Sequence, residues 1–112
     1  MKKVTEKTVR AFRAFKNCKL SNTEVGVGYG CVNYCLHNNL IAGLVKKNDW
    51  TLVLCLSDAG WRTNTTKERL NWILREFDLG YIHQKNREWF FTNKDGVTTK
   101  REWQIEFDWL KN

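Results

Sequence analysis

Three groups of residues have types and spacings that could do chemistry. The first is Cys31-x3-Cys35-x-His37, with Cys18 and Cys55 elsewhere in the chain. Thiols and an imidazole this close in sequence suggest a zinc site or an activated cysteine. Structural zinc sites use short Cys knuckles in pairs, whereas here one pair lies in an alternating, strand-like stretch. Same-face residues on a strand recur about every 7 Å, so Cys31 and Cys35 would sit about 13 Å apart, too far to share one ion. No metal and no cofactor are therefore expected. A nucleophilic cysteine needs an adjacent base and a third, orienting group. Chain order does not bring His37 or His83 beside a thiol, and Asp49, Asp58, Asp78 and Asp95 fall in turn-like stretches that Asp favours for backbone reasons. The expectation is a protein that is not an enzyme, with chemistry at Cys35 and His37 as the remaining alternative.

The second group is cationic. The chain has 112 residues and a formal net charge of +7. Its first nineteen residues hold seven cations (Lys2, Lys3, Lys7, Arg10, Arg13, Lys16, Lys19) and one anion, Glu6; the rest is close to neutral. Charge gathered in this way is an address for a polyanion or an acidic protein surface. Lys3, Lys7, Arg10, Arg13 and Lys16 are the candidate binding residues of this segment.

The third group is Lys67, Arg69, Asn71 and Arg75, followed by Lys85 and Arg87 at a predicted hairpin tip. A helix that offers Arg69 and Asn71 to base edges, with a basic wing behind it, would suit a winged-helix DNA-binding regulator. Against this, residues 50–60 read as strand and turn where a helix-turn-helix needs its first helix, and Glu68 and Glu76 interrupt the field. Tyr34, Trp50 and Trp61 are aromatics that could stack unpaired bases, although most of them are expected as core or half-buried strand residues. Gly26, Gly28 and Gly30 alternate with Val25, Val27 and Tyr29, but no Lys-Ser/Thr and no helix follow, so a phosphate-binding loop is excluded.

The elements that must position these groups follow from periodicity. Val4, Thr8, Ala11, Phe12 and Phe15 recur at helical steps and predict a helix over residues 4–17, with the cations on another face. Residues 18–30 read as a connection. Val32, Tyr34 and Leu36 alternate with Cys31, Asn33 and Cys35, and two further strands are predicted over Leu40–Val45 and Trp50–Leu56. Thr65-Thr66-Lys67-Glu68 has the form of a capping box ahead of Leu70, Ile73, Leu74 and Phe77, which predicts a helix over 66–77 with Gly80 as its stop. Tyr81–Gln84 and Glu88–Thr92 predict a hairpin about Lys85-Asn86-Arg87, and Asn93–Gly96 a further turn. Trp103, Ile105, Phe107 and Trp109 alternate as in a strand, whereas Thr99-Lys100-Arg101-Glu102 repeats the capping-box pattern, so strand is preferred over helix for 100–110. The fold class is thus α+β in one domain over residues 1–112, of order α-β-β-β-α-β-β-(β), with an antiparallel sheet covered by two helices.

Composition agrees with a cored domain: 42% of residues are hydrophobic and six are Trp. The longest apolar runs fall far short of the ~20 residues that span a bilayer, and the basic N-terminus has no apolar stretch behind it as a signal peptide would. No membrane partner is expected. Four cysteines in or beside apolar segments suit a reducing, cytosolic setting.

Two stretches resemble something broader. Leu36-His37-x-Asn39-x-Ile41-Ala42, then Ala59-Gly60-Trp61-x-Thr63-x-Thr65-Thr66-Lys67-Glu68-Arg69-Leu70-Asn71, with Asn22-Thr23 upstream, resemble a recurring small domain of unknown function in tailed-phage genomes. The resemblance covers residues 22–71. It implies a phage or prophage origin and a host-cytoplasm setting, and no activity. Gly60, Thr65 and Leu70 have structural explanations within the pattern; Arg69 and Asn71 do not, which adds them to the candidate binding residues. The chain is therefore expected to be a small basic binding module that meets nucleic acid through its N-terminal helix. A protein–protein inhibitor of a host or defence complex is the alternative.

Overall fold

The computed structural model describes residues 2–49, 51–60, 62–100 and 104–110. The element order is α1 (Lys2–Arg13), β1 (Cys18–Leu20), β2 (Thr23–Gly28), β3 (Cys31–Leu36), β4 (Asn39–Lys46), β5 (Thr51–Ser57), α2 (Asn64–Glu76), β6 (Gly80–Lys85), β7 (Glu88–Asn93), β8 (Thr98–Lys100) and β9 (Gln104–Leu110). The α+β class holds, with more strand than expected. β1 to β5 form an antiparallel meander that β9 extends beyond β5, while β6, β7 and β8 form a second, three-stranded sheet.

One face of the six-stranded sheet builds the core. Val25, Val32, Tyr34, Leu36, Leu44, Leu52, Leu54, Leu56 and Ile105 point to it and are buried, as period-two alternation requires. Between β3 and β4 the register passes from Tyr34↔Ala42 to Cys35↔Leu40 and skips Ile41. This bulge breaks the alternation, so that Ile41 and Ala42 are both buried. Over the core face lie α1, against β1, β2 and β3, and α2, against β4 and β6. The second sheet joins this layer through Phe91, whose ring centroid is 5.4 Å from that of Phe107 on β9.

Several expectations are corrected. The connection over 18–30 is a strand pair, β1 and β2, turned at Ser21 with φ 55; glycines weaken the strand signal of β2, and pairing with β3 overrides it. α1 ends at Arg13 and not at residue 17, because Phe15 takes φ 54 and turns the chain back. Lys16 thus lies beyond the helix. α2 is capped by Thr63 and not by Thr65: Thr63 Oγ1 accepts from the Thr66 backbone N–H at 3.1 Å. The tail over 104–110 is a strand, and the competing capping-box pattern begins on β8. Arg101, Glu102, Trp103, and the proposed stacking residues Trp50 and Trp61, lie outside the described residues.

Candidate functional site

α1 presents its cations as the helical spacing requires. Thr8, Val9 and Phe12 are buried, and Phe12 meets Tyr34 and Phe77 edge-on at centroid distances of 5.7 and 6.3 Å. Thr8 Oγ1 shares a 2.8 Å hydrogen bond with the Tyr34 hydroxyl. Burial pushes the Tyr34 phenol up to about 12, and its ring is fully enclosed, as a core strand residue rather than a base-stacking one. Lys3, Lys7, Arg10, Arg13 and Lys16 are exposed. Two of them meet carboxylates: Arg10 pairs with Glu6 at 2.7 Å, and Arg13 with Glu76 on α2 at 3.3 Å while its guanidinium lies over the Phe77 ring.

Arg69 and Asn71 make their contacts within the fold. Arg69 is 1% exposed and hydrogen-bonds Thr5 of α1 and the Glu68 carboxylate, whose other partner is the Thr5 hydroxyl. Asn71 bonds the backbone of β6 twice, its amide donating to Ile82 O at 3.0 Å and its oxygen accepting from Ile82 N at 2.6 Å. One residue locks α2 to α1 and the other locks it to the second sheet. The winged-helix reading needs both side chains at base edges and a helix just before α2, where β5 stands instead.

The two helices run side by side in the same direction, since Thr5 meets Glu68 and Arg13 meets Glu76. β6 returns along α2, where Lys67 Nζ donates to Gln84 at 3.3 Å. The hairpin therefore turns, at Asn86 and Arg87 with φ 53 and 66, near the N-terminal end of both helices. Lys3, Lys67, Lys85 and Arg87 are gathered at that end, whereas Lys16 lies at the other.

The same end holds a cavity that the reading of single residues missed. It has a volume of about 250 Å³ and is lined by Leu36, His37, Asn39, Ile41, Asp58, Thr63 and Thr66. The β3–β4 turn forms one wall, where His37 and Asn38 take φ 51 and 65. The His37 backbone N–H donates to Asn22 O at 2.8 Å, and its Nε2 lies 3.2 Å from the Asn22 amide nitrogen. Asp58, after β5, and Thr63 and Thr66, at the start of α2, form the other wall. There Asp58 accepts from Gly60 N at 2.8 Å and from Arg62 Nε at 3.0 Å. The signal lay in the resemblance: Leu36, His37, Asn39 and Ile41 from its first stretch and Thr63 and Thr66 from its second face each other across this space.

The thiols stand apart from it. Burial, and then the carboxylates of Glu24 and Glu106 respectively, push Cys35 and Cys55 up, the opposite of an activated nucleophile. The four cysteines are free. Among the described residues no helix is long and apolar enough to cross a membrane.

A family model described as the Kyanoviridae Gp96 protein matches residues 1–109. No curated protein and no solved structure matches the chain. With nearly its whole length covered, the chain belongs to the Kyanoviridae Gp96 family of phage proteins.

Proposed function

We propose that this phage protein is a non-enzymatic binding module that contacts nucleic acid through the cations of α1. The observation that carries the reading is the exposure of Lys3, Lys7 and Arg10 on a helix whose opposite side is fixed by Thr8, Val9 and Phe12. A docked helix presents its charges on a backbone that is already ordered, so that binding costs only side-chain freedom. Phosphate contact needs cations at a surface rather than a shaped pocket, and it carries no sequence preference of its own. Lys67, Lys85 and Arg87 extend the positive field at the N-terminal end of the helices, while Glu6 and Glu76 temper it along their length.

Binding to duplex or single-stranded oligonucleotides, measured by fluorescence anisotropy against salt, tests the reading. With about three to five phosphates neutralised, log K falls with log salt at a slope of roughly −3 to −4. Replacing Lys3, Lys7 and Arg10 together by Ala makes that slope shallower by about 2 or more. Absence of binding at ~50 mM salt overturns the proposal.

A specific observation favours a second reading, in which the partner is a host or defence protein. The outer face of the six-stranded sheet is covered by no described element. It carries Asn33, Gly43 and Cys55 in one cross-strand row and Cys31, Val45 and Val53 in the next. A hollow of about 420 Å³ opens over Gly43, and Leu40 and Val45 beside it are 51% and 45% exposed. A partly apolar surface of this kind, rimmed by charged residues, suits protein contact.

A further inference from the structure

We propose that the cavity between the β3–β4 turn and the start of α2 takes one unstacked nucleobase, with preference for a base that bears an exocyclic amino group. The proposal rests on the reading of α1 as a nucleic-acid surface and adds to it the recognition of the base.

Size comes first. An apolar cavity of about 150 Å³ takes benzene, and pockets for drug-sized ligands begin near 300 Å³. At about 250 Å³ this one has room for a heterocycle of one or two rings and little else. Its lining has the two parts that a base needs. Leu36 and Ile41 are buried and give an apolar wall for the ring. The polar residues His37, Asn39, Asp58, Thr63 and Thr66 also line it, with the Thr63 and Thr66 hydroxyls bonded to each other at 2.9 Å. Splayed-out bases are held in this way, by contact with the ring face and hydrogen bonds to the edge.

Asp58 sets the preference. Each of its oxygens already accepts one hydrogen bond, from Gly60 N and from Arg62 Nε. A carboxylate offers about four lone-pair sites, so each oxygen keeps one acceptor site and neither oxygen has a proton to give. An amino group such as cytosine N4 or adenine N6 donates to such a site, whereas the carbonyl oxygen that takes its place in uracil or thymine would meet a second acceptor. The ring of His37 is held in position by its turn and by Asn22, so the wall is formed before the base arrives. The strand that carries the base has cations to meet outside: Arg62 is exposed next to the cavity wall, and Lys67 lies one helical turn beyond Thr63, its backbone N–H donating to Thr63 O at 3.0 Å.

The test uses the full chain and three measurements. Cytidine, adenosine and uridine are titrated while backbone amide resonances are followed by NMR. Oligonucleotides of about twelve nucleotides, either cytosine-rich, thymine-only or abasic, are compared for affinity and salt slope. Asp58→Asn and Asn39→Trp are then measured on the cytosine-rich strand, the second variant filling the mouth of the cavity from a partly exposed rim position. The expected result is that cytidine and adenosine, but not uridine, shift amides in 36–41 and 58–66. The cytosine-rich strand binds about tenfold tighter than the abasic one. Asp58→Asn abolishes the preference over thymine, and Asn39→Trp abolishes the tenfold gain with the salt slope unchanged. If Asn39→Trp does not fold, the nucleoside shifts and Asp58→Asn decide. Equal affinity for abasic and cytosine-rich strands, or nucleoside shifts elsewhere in the fold, overturns the cavity proposal and leaves the α1 reading standing. Nucleoside binding in the cavity with oligonucleotide affinity that ignores salt overturns the α1 reading alone. No binding of either probe overturns both.

Discussion

At the scale of single residues, the clearest lesson comes from Arg69. A cation beside a core leucine in a helix looks available for a partner. Its guanidinium instead bridges Thr5 and Glu68 between α1 and α2 at 1% exposure. Removing one partner of a buried, hydrogen-bonded ion pair leaves the other uncompensated, at roughly 3–5 kcal/mol when both are enclosed. Glu68 is about one-third exposed, so water relieves part of that cost. Arg69→Ala is expected to lower stability by about 2–4 kcal/mol, read as a lower urea midpoint with unchanged slope. A change below about 0.5 kcal/mol, the range of ordinary surface substitutions, would show that Arg69 does not hold the helices together. Asn71 follows the same logic on the other side of α2. An amide that spans one backbone N–H and one C=O replaces a ladder partner for Ile82, and neither group is then left unpaired.

At the scale of elements, turns decide where the cations and the cavity end up. α2 is followed by Asp78 at φ 54 and then by Gly80 at φ 138. Gly80 reads in sequence as the stop of the helix. Its role is different: it starts β6 with its Cα pressed against β7, where an added Cβ would lie 2.1 Å from Thr92 O and 2.9 Å from Asn93 Cα. Both are backbone atoms in the paired strand and cannot step aside. Gly80→Ala is therefore expected to cost about 3 kcal/mol or more, from the backbone conformation and the clash together. Thermal unfolding measures it, and a shift of less than 2 °C would contradict the geometry. Gly96, at φ 84 with open space around its would-be Cβ, is a control in which only the conformational cost of roughly 1 kcal/mol applies. The hairpin tip shows the opposite case. Asn86 and Arg87 both take positive φ without a glycine, which the two-residue turn demands, and the strain there holds Arg87 at the end where Lys3 and Lys67 lie.

At the scale of the whole molecule, the sheet has one face built into the core and one left bare, and charge is divided in a related way. The helices on the covered side carry the cations. The bare side carries Glu24, Glu106 and Asp108 around a middle of small neutral residues, with Asp108 paired to Lys47 at 3.6 Å. The two readings of function therefore use opposite sides of the molecule and can be separated. If a host protein docks on the sheet, Val45→Glu abolishes its capture from lysate, nuclease treatment leaves the capture intact, and the α1 alanine variants do not alter it. If capture persists in Val45→Glu, the sheet face is not the contact. Val45 is exposed, so the substitution tests the surface without disturbing the core.

The sequence is enough to place both helices, the strands β3 to β7 and the concentration of charge near the N-terminus, because each depends on local period, turn chemistry or simple count; it left β9 between a strand period and a capping-box pattern. It also contained the two stretches that line the cavity, as a pattern without a place. The tertiary structure settled the remainder. It made strands of 18–30, since the pairing energy of β2 lies in β3 and not in its own glycine-rich residues. It took Arg69 and Asn71 inward, since their partners are 64 and 11 positions away in the chain. It brought the β3–β4 turn and the β5–α2 connection together, since a cavity exists only between segments that are distant in sequence and adjacent in space.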